Sequence, residues 1–192
     1  MKRITLPICF VSILYLCGNA QPMDSAAMMK AWQNFMTPGD MQKMLAKSDG
    51  VWNEEVTMWM DPGQPSQKST ATCTNKMVLN GLYQESVHKG TMMGMPFEGH
   101  GTVGYDNAKK VFVSSWIDNM GSGIMNAEGT WDNATKSLVM KGKTTDPLTG
   151  KDKDFREVMK FTDDNNQTME MYGAGPDGKE MKMMEIKFTR KK

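Results

Sequence analysis

The stretch Gly50-Val51-Trp52-Asn53-Glu54-Glu55-Val56-Thr57-Met58-Trp59-Met60-Asp61-Pro62-Gly63 decides the fold. Here the spacing of the apolar residues falls to two, and the run ends in a turn tripeptide. The same pattern continues to the C-terminal end. Short runs of Val, Thr, Met and aromatic residues alternate with turn clusters at Asn80-Gly81, Asp106-Asn107, 118–123, Asp132-Asn133, 146–150, 163–166 and 175–178. We count ten candidate strands, over 51–60, 66–79, 81–89, 96–105, 110–118, 122–131, 136–144, 152–162, 167–173 and 179–190. Ten consecutive strands without helical patterns between them predict an antiparallel meander, mainly β. Each strand carries few hydrophobic residues, and closing the meander into an up-and-down β-barrel of about ten strands leaves no open edge. A two-sheet sandwich is the competing arrangement.

Upstream of Gly50 the period is helical. Asp24 or Ser25 can cap a helix in which Ala26, Met29, Ala31, Trp32, Phe35 and Met36 recur at spacings of three and four. Pro38-Gly39-Asp40 breaks it, and Met41, Met44 and Leu45 suggest a second short helix. Residues 21–49 therefore read as a helical leader that caps one end of the barrel or tethers it, and 50–192 as the barrel domain.

Residues 1–20 read as a secretory signal peptide. Lys2 and Arg3 precede an apolar run from Ile4 to Cys17, and Gly18-Asn19-Ala20 supplies a small-x-small end with cleavage expected after Ala20. The run is short for a membrane span. A lipidation signal on Cys17 requires a small residue before it, and Leu16 stands there. The expected chain from Gln21 is periplasmic or extracellular, has no transmembrane segment, and retains Cys73 as its one cysteine. It has no disulfide framework, so its core alone must hold it together.

With 23 basic and 22 acidic side chains among 192 residues, the chain lacks the electrostatic footprint of a nucleic-acid-binding protein. Its 22 methionines cluster as Met58-x-Met60, Met92-Met93-x-Met95, Met169-x-Met171 and Met181-x-Met183-Met184. Soft thioethers select copper(I). Yet beyond position 20 there are only five leucines and three isoleucines, so methionine takes leucine's place as core filler. A methionine-lined barrel makes a soft cavity suited to an irregular apolar ligand.

Histidine occurs only at His88 and His100. Two histidines and one cysteine on different strands carry no paired zinc-ligand spacing. Either histidine can serve as an axial haem ligand opposite a methionine. Gly121-Ser122-Gly123 lacks the nucleophile-elbow pattern, and Cys73 reads as a small buried residue in mid-strand. No catalytic set, metal site or cofactor is expected. The candidate ligand-binding residues are Glu98, His100, Trp116, Asp118 and Glu128, polar or aromatic positions on strands that orient a ligand where their face points inward. An enzymatic alternative places acid–base chemistry on Asp118, Glu128 or Glu170, and an interaction alternative has the helical leader dock a partner.

Several blocks taken in order carry a family resemblance: Trp52-Asn53-Glu54-Glu55-Val56 with Met58-Trp59-Met60-Asp61-Pro62-Gly63; Gly94-Met95-Pro96-Phe97-Glu98-Gly99-His100-Gly101; Gly104-Tyr105-Asp106-Asn107; Ser115-Trp116-Ile117-Asp118; Glu128-Gly129-Thr130; and Met184-Glu185-Ile186-Lys187-Phe188-Thr189-Arg190. Over residues 50–190 the chain resembles the bacterial family called domain of unknown function 1579. That resemblance implies a small barrel and no established activity. More distantly it is similar to the calycins, which include the lipocalin and fatty-acid-binding barrels, and to the haem-binding nitrobindins. Calycins pair Gly-x-Trp on the first strand with a basic residue late on the last. Gly50-Val51-Trp52 and Arg190 match, which implies a structural barrel closure by a guanidinium stacked on an indole.

Overall fold

The computed structural model describes residues 24–192, so the expected signal peptide lies outside the described residues. Ten antiparallel strands form one closed barrel: β1 (Gly50–Met58), β2 (Gln67–Val78), β3 (Tyr83–Met92), β4 (Met95–Asp106), β5 (Val111–Asp118), β6 (Met125–Asp132), β7 (Ser137–Thr145), β8 (Asp152–Phe161), β9 (Asn166–Ala174) and β10 (Glu180–Arg190). Each strand pairs with its neighbours in sequence, and β1 pairs with β10 to complete the ring. Closure rather than a sandwich follows from that last ladder, which runs from Trp52↔Arg190 to Met58↔Met184 and leaves neither terminal strand with a free edge.

The aspartates of the turn clusters explain why the meander turns where it does. Asp106 Oδ1 accepts the amides of Ala108 and Lys109. Asp132, Asp146, Asp163 and Asp177 cap their own turns in the same way. One turn departs from the sequence reading. The segment after residue 89 reads as a loop, but β3 and β4 run on to Met92 and Met95 and are joined by Met93-Gly94 alone, both at positive φ. Met93 stands where asparagine is usual in such a two-residue hairpin.

Alternation along each strand defines the inside. Trp52, Glu54 and Val56 are buried while Val51, Asn53 and Glu55 are exposed. Two hydrophobic clusters fill part of the interior. One is built on Leu45, Phe112, Leu138, Met140 and Phe155; the other on Trp52, Val56, Cys73, Ile186 and Phe188. Methionines supply much of the remaining wall, with Met44, Met77, Met125, Met159 and Met171 packed on the first cluster and Met58, Met169 and Met184 on the second. Burying Trp52 and Phe112 completely contributes about 1.5–3 kcal/mol each. Met183 is the extra residue of a bulge in β10, so it does not continue the alternation that Met181 begins.

The leader is two helices, α1 (Ser25–Met36) and α2 (Asp40–Ala46). Asp24 caps α1 by accepting the Ala26 amide. The leader's two halves behave differently. α2 sits on the end of the barrel where β1 begins, and its Leu45 is part of the first cluster. Gln42 is fully buried and donates to the Tyr105 carbonyl and to Asn107 Oδ1, while Gln84 donates to the Leu45 carbonyl and to Asp49. α1 buries none of its residues. No described helix is long and apolar enough to cross a membrane.

Candidate functional site

Register places a polar group on the inner wall formed by β1, β2 and β3. Cys73 pairs with both Trp52 and His88, and His88 pairs with Gly99, which pairs with Asp118. Side chains at paired positions share a face, so Cys73, His88 and Asp118 all point inward with Trp52. Glu54, two residues beyond Trp52, has the same inward parity. The side chains meet accordingly. Glu54 Oε1 lies 2.7 Å from His88 Nδ1, and His88 Nε2 lies 3.5 Å from Cys73 Sγ. The thiol also approaches Asn75 Oδ1 at 3.0 Å. Glu54 is 2% exposed and the His88 side chain 12%.

Trp116 on β5 completes the wall. Its indole lies edge-on to His88, with ring centroids 5.0 Å apart, and stacks on Phe97. Indole Nε1 donates to Asp118 Oδ2 at 2.7 Å, and Asp118 Oδ1 accepts the Met120 amide. The ring has room because Gly99 and Gly101 stand on the neighbouring strand. A Cβ at Gly99 would overlap the indole, and one at Gly101 would crowd both the indole and Ser86 Oγ.

From the opposite wall, Glu157 on β8 faces inward between Phe155 and Met159, paired with Met140 and Met171. It forms no side-chain hydrogen bond or ion pair among the described residues. Burial pushes its carboxyl up to about 6, against a smaller opposing pull from His88. The Cys73 thiol is raised well above its ordinary value, first by burial and then by the Glu54 carboxylate. The mid-barrel interior is thus acidic. Among inward positions the basic residues are Lys153 at the open rim, which reaches Asp146, and Arg190 at the closed end.

The residues predicted from sequence separate between the two faces. Trp116 and Asp118 point inward and touch each other. Glu98 and His100 also touch, at 3.0 Å, but on the outer surface, where hydrogen bonds from His100 and Lys89 hold the Glu98 carboxyl below its usual range. Glu128 is exposed on the outside of β6, and Glu170 lies in an outer network with Lys182 and Tyr172. Sequence reading noted Glu157 as a charged residue within a strand but assigned neither it nor Glu54 to the site, and did not link His88 to Cys73. Parity was the available signal: Glu54 shares the face of Trp52, and Glu157 that of Phe155.

Two cavities accompany this arrangement. One of about 250 Å³ lies at the open rim, lined by Met58, Ser69, Thr70, Met92, Met93 and Gly94 among others. A larger and shallower one of about 560 Å³ lies outside the barrel between the β1–β2 loop and β10, bordered by Trp59, Lys68, Lys182 and Glu185.

At the closed end Arg190 covers Trp52, its guanidinium carbon 4.2 Å from the indole centroid. A closed, sequentially wound antiparallel barrel with that first-to-last-strand pairing is consistent with the calycin-like barrels. The chain is a member of the family described as Protein of unknown function (DUF1579), whose model matches residues 37–190. That match covers α2 and the whole barrel and leaves α1 outside. Among solved structures, Rv2717c from M. tuberculosis superposes with a TM-score of 0.61 at 9% identity, over 81% of this chain and 100% of that one. At that identity the likeness is one of fold. A redesigned β-barrel gives 0.40 at 14% identity, over 77% of this chain and 95% of its own. The search of curated proteins finds no match.

Proposed function

We propose that the chain binds a small, largely apolar ligand inside the barrel without transforming it, and that the ligand's polar end donates hydrogen bonds to the acidic inner wall. The observation that carries this reading is the pairing of soft apolar lining with a few convergent polar groups: Met58, Met171 and Phe97 beside Trp116–Asp118, Glu54–His88 and Glu157. Carboxylates outnumber cations in the middle of the barrel, so an amine or hydroxyl head suits it and a carboxylate head does not. The N-terminal signal pattern supports binding outside the cytoplasm, with cleavage after Ala20, and sequencing the N-terminus of the exported protein tests that part.

The test of binding is titration with a long-chain amine and with the carboxylate of equal chain length, followed by tryptophan fluorescence. The amine should bind saturably at one per chain and the carboxylate at least about tenfold more weakly, with the signal lost in Trp116→Phe. Saturable binding of neither probe, or a preference for the carboxylate, overturns the reading. Native mass spectrometry of protein taken from its own host without detergent then identifies the natural ligand by its added mass, and a haem or copper adduct would favour the alternative metal reading of the methionines.

A second reading is supported by α1, whose Met29, Trp32, Phe35 and Met36 are exposed. An apolar helix face of this kind can dock a partner. Deleting residues 24–36 should then abolish an association while leaving barrel stability unchanged.

A further inference from the structure

The inner-wall group on β1, β2 and β3 has a use beyond ligand orientation. We propose that Glu54, Cys73 and His88 bind one transition-metal ion of the zinc class inside the barrel, through carboxylate oxygen, thiolate sulfur and imidazole nitrogen.

Their donor atoms all lie within 4.8 Å of one another. Ligand atoms around a tetrahedral zinc ion stand about 3.3–3.8 Å apart. Glu54 meets His88 Nδ1 and Cys73 meets Nε2, so binding one ion requires the imidazole or the carboxylate to turn until a single ring nitrogen faces both partners. The three come from strands joined by continuous ladders, Trp52↔Cys73 on one side and Cys73↔His88 on the other, which provides a rigid base. A mixed O, S and N set suits a borderline ion better than copper(I), which soft sulfur alone would select, or magnesium, which takes oxygen.

Charge favours the same occupant. The metal-free group buries the Glu54 carboxylate against an imidazole, in an interior that also holds the inward carboxyls of Asp118 and Glu157. A divalent ion bound to one thiolate and one carboxylate leaves no net charge at the site. On binding, the Cys73 thiol proton goes to solvent, so each ion taken up releases one proton from that residue. Three protein ligands leave a fourth position for water or another donor, the arrangement of an open rather than a closed zinc site. The exposed Glu98–His100 pair offers nothing equivalent, since among the described residues no cysteine or third ligand faces it.

The experiment is titration of the purified, metal-free full chain with cobalt(II), followed by zinc(II) competition. A thiolate-to-cobalt charge-transfer band should saturate at one ion per chain and disappear when zinc is added. Cys73→Ser should abolish the band. Glu54→Gln and His88→Gln should each weaken cobalt binding by about tenfold or more, with circular dichroism reporting whether each variant is folded. Cys9 and Cys17 remain in Cys73→Ser, so a band that survives there overturns the proposal, as does the absence of any thiolate band in the native chain. Should the variants fail to fold, the unaltered chain still decides: its Tm should rise with zinc(II) and stay unchanged with magnesium(II), and no rise with zinc overturns the assignment. No organic ligand enters these measurements, so the metal site and the ligand-binding reading succeed or fail separately.

Discussion

Arg190 ties the last strand to the first through Trp52 and, at the same time, to three backbone carbonyls from two other places in the chain. Its guanidinium lies over the indole, while Nη1 donates to the Asp49 carbonyl, Nη2 to that of Lys47 and Nε to that of Asp164. Trp52 Nε1 in turn donates to the Ser48 carbonyl. One planar cation thereby joins β10, β1, the α2–β1 connection and the β8–β9 turn, which a lysine's single point charge cannot do.

Trp52→Ala should destabilise the barrel by about 3–5 kcal/mol, because it empties a fully buried site and abandons the Ser48 carbonyl. Arg190→Lys should cost less than Arg190→Ala and more than nothing, since one ammonium can replace only part of the fork. Urea denaturation of the three variants checks both statements, and a Trp52→Ala cost below about 1 kcal/mol would remove the closure argument.

Gly99→Ala should disturb Trp116 specifically. The added methyl falls on the indole and close to Phe97, so the ring must leave its position beside His88. The expected cost is about 1–3 kcal/mol, with a shifted Trp116 emission and weakened amine binding. Comparison with Gly99→Ala/Trp116→Phe isolates the clash, because the smaller ring should recover part of the lost stability.

Glu157 gives the interior a pH dependence opposite in sign to that of the surface carboxylates. Its carboxyl titrates near 6 in the folded chain, above its ordinary value, so the native state binds more protons than the unfolded one between about 4.5 and 6. Stability from this group is therefore full below that window and lost as pH rises through it, by about 2 kcal/mol at most. Glu157→Gln should abolish that decline. Asp106, Asp132 and Asp163 are held below their usual range, chiefly by turn hydrogen bonds, and act the other way, losing stability as pH falls through their lowered values. Urea midpoints of both chains from pH 4 to 7, taken as a difference, separate the two effects.

Cys73 should resist alkylation in the native, metal-free chain. The residue is 1% exposed, and burial beside the Glu54 carboxylate disfavours the thiolate that reacts. Iodoacetamide should label it in urea at least about a hundredfold faster than in buffer, as read by peptide mass spectrometry. Comparable rates would mean that the inner wall opens to solvent.

Local sequence determined the element order, because its signals act over a few residues: a period of two, turn aspartates that hydrogen-bond their own amides, and a Pro-Gly break between the helices. Gly50-Val51-Trp52 and Arg190 also foreshadowed the closure, which rests on one large ring and one cation. The Met93-Gly94 hairpin escaped notice because the residue at its first position is not one that ordinarily favours positive φ. Tertiary structure alone decided which polar residues share a site. In sequence, Glu54 and Glu157 are marked only by sharing the parity of Trp52 and Phe155, and the sequence does not say which parity of a strand faces inward. What divides them from Glu98, His100 and Glu128 is strand parity relative to a single closed interior, and that parity is set only when β1 meets β10 and every register in the ring becomes fixed at once. Glu54 and His88 belong to strands separated by the whole of β2, so their 2.7 Å contact is a consequence of two ladders and cannot be read from spacing.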